Sequence, residues 1–95
     1  MQQAICALLR LGPLPSSATA AVSTIQAFEE QLMEVQTPIT DDEACALLQL
    51  FGPDDCFGLA WTLLHLIETA PGWPVQDALD SIQGEWAGRL RERAE

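Results

Sequence analysis

Few side chains in this chain of 95 residues could carry out a reaction. His65 is its one histidine, and Glu68 follows three positions later, so on a helix the carboxylate shares a face with the imidazole and with Trp61. Such a pair could tune an imidazole for proton transfer or supply two ligands to a metal ion. Two ligands do not complete a site, and the HExxH or paired ExxH spacings that give metal motifs their specificity are absent. The simpler reading is a polar pair satisfied within a largely buried helix, with Thr62 or Thr69 as further partners.

A cysteine nucleophile would need a base, and His65 is the one of the usual kind. Cys56 precedes it on the same expected helix by more than about 13 Å of rise, at roughly 1.5 Å per residue, so the two cannot meet there. Cys6 and Cys45 could approach it only through tertiary packing. The three cysteines form no CxxC pair and sit in apolar surroundings, where the sequence predicts reduced, buried thiols in a cytoplasmic protein. Glycines are scattered at expected helix ends, with no phosphate-cradling loop, GxSxG elbow or nucleotide fingerprint. Neither a catalytic residue, a metal site nor a cofactor is expected, and the chain does not read as an enzyme.

Charge is the stronger signal. Fourteen Asp and Glu stand against four arginines, with no lysine, for a formal net charge of -10. Such a surface repels phosphates and anionic lipid headgroups, which argues against nucleic acid and membrane as partners and for a basic protein. Hydrophobic residues form 48% of the chain, too many for an acidic disordered segment. Thr62, His65 and Glu68 interrupt the best candidate for a bilayer span, and residues 1–11 lack the basic start and long apolar run of a signal peptide.

The elements that must position these residues are helical, punctuated by Pro and Gly. The first is expected over residues 3–11, closed by Gly12-Pro13. The second, over residues 18–36 with Ser16 or Ser17 as cap, aligns Ala21, Ile25, Phe28, Leu32 and Val35 on one stripe and leaves Glu29, Glu30 and Glu34 outside it. Thr40 and Glu43 form a capping box that starts a third helix over residues 41–50. The fourth, over residues 54–70, is apolar on nearly every face and is expected at the centre. The last runs from Val75 to about Ala94, with Gly84 and Gly88 as points of bending.

Asp41, Asp42 and Glu43, and likewise Asp54 and Asp55, fall at helix starts, where carboxylates favour the helix dipole; Arg89, Arg91 and Arg93 mirror this at the far end of the chain. Glu29, Glu30, Glu34, Asp77 and Asp80 lack that explanation, which leaves solubility or a basic partner. Trp73, between Gly72 and Pro74, is either a plug over the core or an exposed anchor.

Residues 51–74, FGPDDCFGLAWTLLHLIETAPGWP, resemble a block found in a group of small acidic bacterial proteins that also carry a tryptophan-bearing C-terminal helix, here EWAGRLRERA. The block covers about a quarter of the chain, with weaker likeness in the preceding TDDEACALL. These proteins look like immunity partners of polymorphic or contact-dependent toxins, small cytosolic antidotes that bind and occlude a toxin domain. The resemblance brings no catalytic residues.

The expectation is thus an all-α, compact, single-domain bundle of four to five helices around a hydrophobic helix at about 54–70. It would bind a basic toxin domain, for instance a nuclease, through Glu29, Glu30, Glu34, Asp41, Asp42, Glu43, Asp54, Asp55 and Trp73. The alternative is a helical adaptor, or a homodimer with no toxin partner.

Overall fold

Pairing of apolar stripes builds the molecule from helices alone. The computed structural model describes residues 1–94, in which α1 (Gln3–Leu11), α2 (Val22–Glu34), α3 (Asp41–Leu47), α4 (Leu59–Ile67), α5 (Gln76–Ser81) and α6 (Glu85–Ala94) follow one another, and a 3₁₀ turn (Leu48–Leu50) extends α3. No strand occurs among the described residues. A radius of gyration of 12.4 Å equals that of a compact chain of this length.

α1 turns Ala4, Ile5 and Leu8 inward against α2, whose Phe28 and Leu32 meet them from the other side. Gly12, at φ 84°, ends α1 in a backbone region that a side chain would strain. The Gln2 side chain then fastens the two helices at one end: its Nε2 donates to the Gln36 carbonyl (2.9 Å), and its Oε1 accepts from the Gln36 N–H (2.8 Å).

The second helix begins later than its apolar stripe predicts, and Ser17 supplies the reason. Instead of capping α2, its hydroxyl donates to Asp54 Oδ2 at 2.6 Å and its N–H also points to that carboxylate. Ala21 becomes the N-cap, without a side-chain bond.

The capping box of α3 forms as the sequence predicts. Glu43 N–H donates to Thr40 Oγ1 (3.1 Å) while Thr40 N–H donates to Glu43 Oε1 (2.9 Å).

α4 supplies the core, with Ala60, Leu64 and Ile67 wholly enclosed between α2 and α3. It is shorter than the expected 54–70, because Cys56, Phe57 and Gly58 adopt left-handed backbone (φ 45°, 57° and 89°) and Gly58 is the N-cap. Asp54 Oδ1 accepts from the Cys56 N–H at 2.9 Å, a local turn that competes with a first helical turn and drives Cys56 into the core. One edge of α4 stays open along Trp61, Thr62 and His65.

The last expected helix divides at Gly84, φ 103°, into α5 and α6, after Ile82 turns extended. The Arg91 guanidinium bridges the break, donating to the carbonyls of Leu79 (3.2 Å) and Ile82 (2.7 Å). Trp86 anchors α6: it stacks on Phe51 at 5.4 Å, meets Trp61 edge-on at 5.0 Å and donates its Nε1–H to the Asp54 carbonyl.

Candidate protein-binding surface

The acids singled out in the sequence separate into internal fasteners and solvent-facing charges. Glu43 is 2% exposed and spends its carboxylate inside, Oε1 on Thr40 N–H and Oε2 on Gln2 N–H at 2.8 Å. Those backbone donors, that of Gln2 foremost, hold its carboxyl below the usual range. Asp54 is also held low, first by the Ser17 hydroxyl and then by the Cys56 N–H. Asp41, although exposed, accepts from the Gly72 N–H at 2.7 Å and ties the start of α3 to the loop after α4. A methyl group on Gly72 would collide with that carboxylate.

Glu29, Glu30, Glu34, Asp42 and Asp55 are exposed and, among the described residues, make no side-chain hydrogen bond or ion pair. The three glutamates of α2 do not form one patch. Glu30 and Glu34 look toward α1, where each lines a groove that also contains Arg10. Glu29 lines a different groove, toward the start of α4, with Met33, Phe57 and Thr62. Trp73 is half-buried and packs against the core, the plug geometry of the two weighed for it.

The arginines of α6 are occupied. Arg93 makes a two-pronged bridge to Glu68, both bonds at 2.8 Å, and Arg89 pairs with Glu85 at 2.9 Å. Arg89 also lies over the rings of Trp61 (5.5 Å) and Trp86 (5.2 Å). The expected His65–Glu68 pair is therefore corrected. His65 is exposed and Glu68 belongs to Arg93, because residues 61, 62 and 65 lie along the open edge of α4 while position 68 turns toward α6.

The cysteines divide too. All three thiols are free; Cys56 is buried, while Cys6 and Cys45 are half-buried rather than enclosed. Burial, helped by Asp54 and Asp55, pushes the Cys56 thiol up and keeps it protonated. No group of three or more His, Cys, Asp or Glu able to hold a metal ion occurs among the described residues.

Sequence reasoning missed the exposed apolar residues. Met33 is 85% exposed and Phe57 66% exposed, and Trp61 shows 36% of its surface. Met33 could have been found, since it falls outside the Phe28–Leu32 stripe of α2. Phe57 could not, because its outward direction depends on the left-handed turn. No family model, curated protein or solved structure matches the chain.

Proposed function

We propose that this chain binds a basic protein partner and serves as a cytoplasmic immunity protein, neutralising a bacterial toxin domain by occluding its active site. One observation carries the reading. α2 has no acid in its first turn and no base in its last, yet places Glu29, Glu30 and Glu34 in its C-terminal half, ending on Glu34. A carboxylate at that end opposes the helix dipole, at a cost of about 0.3–1 kcal/mol. Glu30 and Glu34, four positions apart and alike in sign, cost roughly another 0.2–0.5 kcal/mol. Charges that work against their own helix are explained by something outside it. Arg10 shares grooves with Glu30 and Glu34, but one arginine does not balance three carboxylates and none lines the groove of Glu29, so a basic surface is the complement they fit.

A toxin acting on a polyanion must carry a basic groove for its substrate. An inhibitor with the substrate's sign is steered into that groove, where association at low salt reaches about 10⁸–10⁹ M⁻¹s⁻¹. No helix of the described residues is long and apolar enough to cross a membrane. The exposed Met33 and Phe57 favour a second reading, a helical adaptor or homodimer joined through an apolar face.

The test is capture from source-cell lysate with the tagged chain at low and moderate salt, followed by co-expression. A captured basic polypeptide that arrests growth alone but not beside this chain supports the immunity reading. Capture of only a housekeeping protein, or of the chain itself, refutes it.

A further inference from the structure

Between α2 and the turn that opens α4 lies an open groove of about 370 Å³, lined by Glu29, Leu32, Met33, Phe57, Leu59 and Thr62. Its rims are the exposed Met33 and Phe57 side chains. Phe57 is held outward by backbone at φ 57°, between Cys56 at 45° and Gly58 at 89°. Phenylalanine suits neither circumstance. Asparagine or glycine fits left-handed backbone better, and a polar side chain suits solvent better. Two local penalties at one residue, beside an exposed flexible methionine, describe an apolar seat that awaits a side chain.

Charge identifies the occupant. Glu29 stands in the groove and Asp55 lies two residues before Phe57, both exposed, and none of the four arginines lines it. A second copy of the chain would bring these carboxylates against another surface of net charge -10. We infer that the Met33–Phe57 groove receives an apolar side chain from a basic protein segment, whose flanking Lys or Arg residues meet Glu29 and Asp55. This rests on the reading of the chain as a binder of a basic protein, and locates its anchor on α2 and the α4 turn. Aromatic and long aliphatic anchors in such seats dominate binding, while the surrounding charges set orientation and rate.

The probe is a pair of synthetic peptides of equal positive charge, one with a central tryptophan flanked by arginines and the other with alanine in its place. Each is titrated into the isotope-labelled full chain and followed by amide and methyl resonances. The tryptophan peptide should bind about tenfold or more tighter, with shifts concentrated at the Met33 methyl and residues 55–62. Phe57→Asn, which suits the left-handed backbone and leaves the unbound spectrum dispersed, should remove that preference. Met33→Gln should weaken it.

Equal affinity of both peptides, with shifts spread over Glu30, Glu34 and Asp42, overturns the groove while leaving a basic partner in place. No binding of either peptide at low salt overturns both. Concentration-dependent broadening at Met33 and Phe57 in the protein alone overturns the basic occupant in favour of a second copy.

Discussion

Replacing Glu43 by glutamine tests the internal fastening of the fold with little change of shape. The carboxylate accepts from the N–H of Thr40 and the N–H of Gln2, 41 residues apart from Glu43 in the latter case, and so joins the start of α3 to the start of α1. A glutamine has one oxygen for these two donors. The amide can keep Gln2, whose N–H is half-buried, but must then turn its own NH₂ toward Thr40. Loss of a charge-assisted bond, with one donor left facing another, costs about 1.5–3 kcal/mol. For a domain of this size that lowers Tm by roughly 8–15 °C.

The pH dependence sharpens the test. The carboxyl of Glu43 is held below its ordinary value of 4.5, so its contribution is fully present above the unfolded-state value and is lost as pH falls through the folded one. Urea unfolding followed by far-UV circular dichroism, from pH 7 down to pH 3, should show wild type and Glu43→Gln well separated near neutrality and converging in acid. Part of the slope remaining in the variant belongs to Asp54, whose carboxyl is also lowered. A gap equally wide at pH 3 and pH 7 would refute the reasoning, since it would place the loss in packing instead of in the charge.

Glu34→Gln should leave stability within about 0.5 kcal/mol, because relief of the repulsion from Glu30 and of the opposed helix dipole is offset by loss of the attraction to Arg10 in the same groove. The same change should slow association with a basic partner and flatten its salt dependence, measured by stopped flow. Trp86→Ala should cost about 3–5 kcal/mol, because Trp86 packs on Phe51 and Trp61 and bonds the Asp54 carbonyl; denaturant unfolding followed by circular dichroism measures the loss.

Local signals gave the outline of the fold to a reader of the sequence. The first helix and its Gly12 stop, the Thr40–Glu43 capping box and the Phe28–Leu32 stripe depend on residues within a few positions of one another, and each is found where its spacing places it. The misread boundaries have one long-range cause, the Ser17–Asp54 contact 37 residues apart, and one local cause, the Asp54–Cys56 turn two residues apart. Ser17 leaves its capping role because Asp54 takes it, and the left-handed turn from Cys56 shortens α4 once that same carboxylate holds the Cys56 N–H.

The candidate surface follows the same division. Its sign was fixed by composition: fourteen acids and four arginines admit no arrangement that neutralises them. Which acids face outward was decided by packing, because equal carboxylates receive unequal fates from neighbours far away in the chain. Glu43 is drawn inside by Gln2, Glu68 is taken by Arg93, Glu30 and Glu34 turn toward Arg10, and Glu29 is left beside Met33 and Phe57. Helical periodicity encodes a face, but the donors and rings that meet that face are encoded tens of residues away, and only the folded chain brings them together.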